Sequence, residues 1–414
     1  MKKKLIRNYA RLIVRTGASV EKGETVVITA HTEAADFIDL LAEECYLAGA
    51  DRVEVEWQND ALSKLASRFE EIRDLAVVRG WEEEKLKERE KNPPVRIKIL
   101  SADPDGMRGA DRDKLTRAAM AKNAILKPYE DRIRNRYKWC VAAVPSAGWA
   151  KKVFPKEHQS TAVEHLWELI LRTSRADGKD PAADWVRHNR ALQEKCDRIN
   201  ALDLAALEYE SANGTRLRVG LIDGAKFIAG RKSTADGKRF NPNIPTEECF
   251  TTPRRGDAEG TVHAVKPLSY GGELIENFYL TFHAGRVTDF GAEKNAALLA
   301  KILSMDEGAS CLGECALVPY DSPVNNTGVL FYNTLFDENA CCHLALGRGY
   351  TNTIEGFGRM DRAAFAALGV NDSSVHVDFM IGAPDLRITG VRRDGRRVPV
   401  FEDGGWSGSL KGEE

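Results

Sequence analysis

Several absences narrow the possibilities before any single residue is weighed. No run in the 414 residues approaches the roughly 18 consecutive apolar residues of a membrane-spanning helix. No sign of charge dominates. The formal net charge of -2 argues against the basic face that general nucleic-acid binding requires. Cysteine is sparse: Cys45, Cys140, Cys196, Cys249, Cys311, Cys315, Cys341 and Cys342 are scattered, with no CxxC pair. In so long a chain this is not a disulfide framework, and the expected compartment is the reducing cytoplasm. The short signatures of common enzymes are missing as well. There is no GxGxxG after the first strand, no GxxxxGK[ST], no HExxH and no GxSxG. "GLIDGAK" (220–226) sets a glycine and a lysine at the wrong spacing. Any metal or nucleophile chemistry must therefore use scattered residues.

What is present is an ordinary globular composition, 43% hydrophobic and 29% charged. The length suits about two domains with ample core. The opening "MKKKLIRNYARLIV" starts basic and turns partly apolar, but Arg7, Asn8, Arg11 and Arg15 break the continuous apolar stretch of a signal peptide. Leu5, Tyr9, Leu12 and Ile13 fall roughly on one side of an amphipathic helix.

The first third alternates strands and helices. "ETVVITA" (24–30) reads as a strand, 33–50 as a helix closed by Gly49, and "DRVEVEW" (51–57) as a strand. This β-α-β unit implies parallel pairing. "VRIKILS" (95–101) and "WCVAAVP" (139–145) extend the same sheet, with charged helical stretches between them. Residues 160–200 are helical and bridge to a different texture. "LAALEYESANGTRLRVGLI" signals a hairpin turning at Asn213-Gly214, more strands follow, and 294–305 and 360–370 read as helices. The fold class expected is α/β: an N-terminal doubly wound parallel-sheet domain with its helical bridge over 1–200, and a C-terminal α+β domain with a mixed or antiparallel sheet over 201–414.

The second half places polar groups inside apolar strands. "NPNIPTEECFTTP" (241–253) carries Glu247 and Glu248 before a β-like stretch, and "CLGECALVP" (311–319) carries Glu314. "LFYNTLFDENACCHLALGRGY" (330–350) carries His343 and ends on Tyr350. "HVDFMIG" (376–382) carries His376 and Asp378. Side chains at i and i+2 of a strand share a face, so His376 and Asp378 stand together. Each group alone has a plain reading: a solvated glutamate, a hydrogen-bonded core histidine, or a histidine oriented by a neighbouring aspartate. Cys342 lies on the opposite face from His343, which argues against a thiol nucleophile. Together the groups need a common partner, because an unpartnered buried carboxylate or imidazole costs several kcal/mol. A divalent cation supplies one, and this N/O donor set suits zinc, cobalt or manganese. So many donors exceed what one catalytic zinc uses. Two ions about 3.5–4 Å apart would use them all.

These blocks resemble the M29 metallopeptidases, the thermophilic-type aminopeptidases. The likeness runs through "KGETVVITA", "AGADRVEVEW", "CVAAVPSAGWAKKVFP" (140–155), "NIPTEECFTTP", the 330–350 block and "HVDFMIG", and so spans nearly the whole chain. The resemblance implies a dinuclear metal centre in the C-terminal domain. Its ligands would be Glu248 (rather than Glu247), Glu314, His343, His376 and Asp378, with Tyr350 close by. It implies a homodimer that acts on peptides at their N-termini with two divalent ions (Zn, Co or Mn). Glu314 would be general base, bridging ligand or both, and the Tyr350 hydroxyl would help stabilise an oxyanion. Two other classes remain open: another dinuclear hydrolase, acting on amides or phosphoesters, and a ligand-binding protein merely braced by metal.

Overall fold

The computed structural model describes residues 3–133 and 135–411. The chain divides into two compact units, Met1–Trp185 with Arg231–Pro245, and Val186–Gly230 with Thr246–Glu414. In the first unit the expected strands form a four-stranded sheet at Thr25–His31, Arg52–Gln58, Val95–Leu100 and Trp139–Ala143. Every pairing is parallel, and the chain order across the sheet is second, first, third, fourth. Helix Ala35–Ala48 links the first two strands and ends where Gly49 takes a φ of 105°, a conformation a side chain would strain. Val26, Ile28, Ala30, Ile97, Ile99, Cys140 and Ala142 are all buried in the sheet, as near-continuous apolar parallel strands require. The amphipathic helix at the start forms over Lys3–Leu12 and buries Tyr9, Ala10 and Leu12. Helix Asp60–Phe69 spaces Leu62, Leu65, Ala66 and Phe69 along one face. Asn59 caps it through its side-chain oxygen, which accepts from the Leu62 N–H at 3.0 Å.

The second unit holds two antiparallel sheets. The larger has nine strands and includes the predicted hairpin, Leu204–Glu210 against Arg216–Leu221, with Gly214 at a φ of 100° in the turn. The predicted helices form over Ala296–Leu303 and Arg362–Leu368. The smaller sheet has five strands, in the order His376–Met380, His343–Gly347, Leu312–Leu317, Cys249–Thr251 and Ile228–Ala229. Its register sorts the side chains. Cys315, Leu344 and Phe379 align across three strands, as do Leu312, Leu346 and Val377, and all pack into one apolar core. The alternate positions therefore face the other way. Glu314 aligns with Ala345 and Asp378, Phe250 with Ala316, His343 and Met380, and Gly347 with His376. No helix among the described residues is long and apolar enough to cross a membrane. All eight cysteines are buried free thiols.

Candidate metal centre

The polar face of the five-stranded sheet collects the titratable groups. Glu314 reaches it because the ladder shifts register between Leu312 and Glu314. Gly313 sits at that bulge, where a Cβ would lie 2.4 Å from the Gly347 carbonyl oxygen and 2.5 Å from that of Arg348. Only glycine allows the approach. Ala345 separates Glu314 from Asp378 in the same cross-strand row, and its small methyl leaves room for the two carboxylates to converge.

Two clusters result, each with its donor atoms within 4.8 Å of one another: Glu248, Glu314 and His343, and Glu314, His376 and Asp378. Glu314 belongs to both. His343 Nε2 lies 3.3 Å from Glu248, and His376 Nε2 lies 3.2 Å from Glu314 and 3.3 Å from Asp378. Each imidazole turns its other nitrogen to a main-chain carbonyl, His343 Nδ1 to Cys341 at 3.3 Å and His376 Nδ1 to Arg348 at 2.8 Å. An Nδ1–H held on a carbonyl fixes the tautomer and turns the Nε2 lone pair toward the carboxylate cluster, free for a metal ion, which is how ligating histidines are oriented. Tyr350 O–H reaches His376 Nε2 at 3.2 Å. The Tyr350 main chain is clamped by the Thr252 hydroxyl, which donates to its carbonyl at 2.8 Å and accepts from its N–H at 2.9 Å.

The electrostatics record a surplus of negative charge. Burial raises the Glu314 carboxyl, Glu248 and Asp378 push it further, and His376 only partly offsets them. Burial alone would lower both imidazoles, but the carboxylates prevail. Glu248 leads in pushing His343 up to about 10, and Asp378 and Glu314 push His376 up to about 11. Among the described residues, the close ion pairs of Glu248, Glu314 and Asp378 run to histidine rather than to lysine or arginine. Buried oxygen and imidazole donors crowded together and short of cationic charge fit divalent metal ions.

The sequence reading passed over Glu338. It lies half-buried in the short turn Glu338–Ala340, and its carboxyl is raised well above its usual range by burial and then by Asp378, Glu248 and Glu314. Its one signal was a polar cluster, Asp337, Glu338 and Asn339, between the apolar "LF" and "ACC". Glu247, adjacent to Glu248, instead approaches His188 at 4.0 Å. Cys342 directs its thiol to the Val318 carbonyl at 3.3 Å, and neither cluster contains a thiol.

A sheet presenting two carboxylate–imidazole clusters joined through one shared glutamate defines a metalloprotein of hydrolase type. The chain belongs to the thermophilic metalloprotease family M29, whose sequence profile matches residues 2–406. It is 40% identical to aminopeptidase AmpS of Bacillus subtilis over 403 residues, covering 97% of this chain and 98% of that one. It is 40% identical to aminopeptidase T of Thermus thermophilus over 407 residues, covering 98% of each. The solved structure of wild-type AmpT from Thermus thermophilus superposes with a TM-score of 0.89 at 37% identity, covering 98% of this chain and 100% of that one.

Proposed function

We propose that this chain is a metal-dependent aminopeptidase that hydrolyses the first peptide bond of peptides, with catalysis in the C-terminal domain over 201–414. The observation that carries the reading is the pair of clusters sharing Glu314. Glu248, Glu314, His343, His376 and Asp378 would hold two divalent ions: zinc, cobalt or manganese. Bound there, the ions supply Lewis acidity toward a water and toward the scissile carbonyl. Glu314 accepts the proton of the attacking water and returns it to the leaving amine, a role open to the one carboxylate shared by both clusters. The Tyr350 hydroxyl donates to the oxygen that gains negative charge. Glu338, a carboxylate outside both clusters, anchors the free ammonium of the first residue, which restricts cleavage to the N-terminal bond. The reading includes a homodimer, on family membership, and a reducing cytoplasmic setting, supported by eight buried unpaired thiols.

Elemental analysis of the purified protein, paired with a panel of aminoacyl anilides and phosphoesters, tests this. Two equivalents of metal and cleavage of anilides alone are expected. Full activity after exhaustive metal removal, or cleavage of phosphoesters alone, would overturn it.

A further inference from the structure

One residue before Glu248, the chain carries a peptide group that is held at both ends. The Thr246 carbonyl receives a hydrogen bond from His188 Nε2 at 2.7 Å, and the Glu247 N–H donates to Asn339 Oδ1 at 2.6 Å. These two atoms are the opposite poles of the single peptide plane between Thr246 and Glu247. His188 comes from helix Pro181–Asn200, and Asn339 from the turn that also carries Glu338 and leads into the His343 strand. The Asn339 amide nitrogen in turn donates to the Leu335 carbonyl at 2.9 Å, so its own orientation is fixed. Asn339 and Thr246 are fully buried, and the His188 side chain is only 10% exposed. A side chain is aimed by its backbone. A peptide plane pinned at both poles resists rotation, and rotation there would pass through Glu247 and shift the Glu248 carboxylate relative to His343.

We infer that His188 and Asn339 are positioning residues of the metal centre: together they lock the Thr246–Glu247 peptide and thereby hold the Glu248 carboxylate against His343. The inference rests on the proposed metal-binding function. It adds two residues that touch neither metal nor substrate. Its consequence is selective. The cluster built on Glu248 and His343 depends on the lock, and the cluster built on His376 and Asp378 does not.

Stepwise calorimetric titration of metal-free full-length protein with Co²⁺ tests this without any activity readout. Asn339→Ala removes one anchor. His188→Phe removes the other while keeping bulk, so at least one variant retains the packing needed to fold, as circular dichroism and metal-free melting would report. Each should weaken one of the two binding steps by about 10- to 100-fold, the usual effect of losing a group that orients a ligand, and leave the other within about threefold. Asp378→Asn should weaken the complementary step, which assigns the two. His188→Gln still donates, so it should remain within about threefold of the parent. Folded variants with both steps unchanged overturn the inference. So does an equal loss in both steps, or a conservative variant as impaired as the disruptive one. A parent protein that takes up no Co²⁺ overturns the metal reading itself, an outcome visible before any variant is made.

Discussion

Both units bury charge, but they treat it differently. In the first unit Lys138 is 2% exposed, and its ammonium lies 2.9 Å from Glu24. Glu44 is 1% exposed and receives the Arg11 guanidinium at 3.1 Å. Both of these buried charges have counter-ions from the chain, Glu24 and Glu21 for Lys138 and Arg11 and Arg7 for Glu44, so each is neutralised within the fold. On the polar face of the five-stranded sheet, several carboxylates share two imidazoles. Desolvating like charges side by side is costly, and a protein that needed only stability would replace them with apolar residues of the same size. A self-neutralised pair holds a fold together, whereas a surplus of one sign is a receptor for something of the other sign.

The most drastic way to test this contrast is to remove that something. Exhaustive chelation should abolish aminoacyl-anilide hydrolysis, and added Co²⁺ or Zn²⁺ should restore it, while the ion pairs of the first unit are unaffected. Next in size is Glu314→Gln. Loss of a general base costs about 10²- to 10⁴-fold in turnover, and the variant should stay folded. The metal-free Gln variant should melt no lower than the parent, because the substitution relieves a carboxylate that burial and two neighbouring acids already disfavour. Near-normal turnover would remove Glu314 from the base role.

The sequence shows some of this contrast and hides the rest. The i, i+2 alternation put His376 and Asp378 on one face, and the structure sets them 3.3 Å apart. The strand-like settings of Glu314 and His343 were readable from their apolar neighbours, and the β-α-β rhythm announced the parallel sheet. Residue type could not separate Glu247 from Glu248, since both precede the same short strand. The choice follows from parity with Phe250 and from register across three strands, which is long-range information. Glu338 was missed because it sits in a turn, where periodicity says nothing. The bulge at Gly313, which decides where Glu314 points, is likewise a property of the ladder rather than of the local sequence. Helix Asp60–Phe69 has the apolar spacing of an amphipathic helix, Leu62, Leu65, Ala66 and Phe69, yet Leu62, Leu65 and Phe69 remain exposed, so the sequence pattern does not by itself report burial.

Smaller effects are expected in the first unit, and on stability instead of chemistry. Lys138→Met breaks a buried pair from one side and leaves Glu24 with only Lys238, at 3.3 Å. Removing one partner of a fully buried pair costs about 3–5 kcal/mol, and the 18% exposure of the Glu24 side chain together with its remaining Lys238 contact places the loss below that range. Denaturant unfolding should show it, while metal content should not change. A fall in bound metal equal to that of a ligand variant would erase the distinction drawn between the two regions.

The smallest effect belongs to a pair near the surface. Burial would raise the Glu56 carboxyl, but Lys85 at 2.7 Å and Arg89 at 2.8 Å outweigh it and hold the pKa below the usual value. A carboxyl depressed in the folded state binds fewer protons there than in the unfolded chain. Its stabilisation is therefore complete above the unfolded pKa and disappears as pH falls through the folded one. Glu56 is more than a third exposed, so solvent screening keeps the contribution within about 1 kcal/mol. Glu56→Gln should accordingly lower the melting temperature slightly at neutral pH, and the gap from the parent should close below about pH 4. Added salt should shrink the same gap at neutral pH, because an exposed pair is screened. A gap that stayed constant from neutral pH to pH 3 would mean that Glu56 acts through packing, and the closed ion pair would no longer describe this part of the first unit.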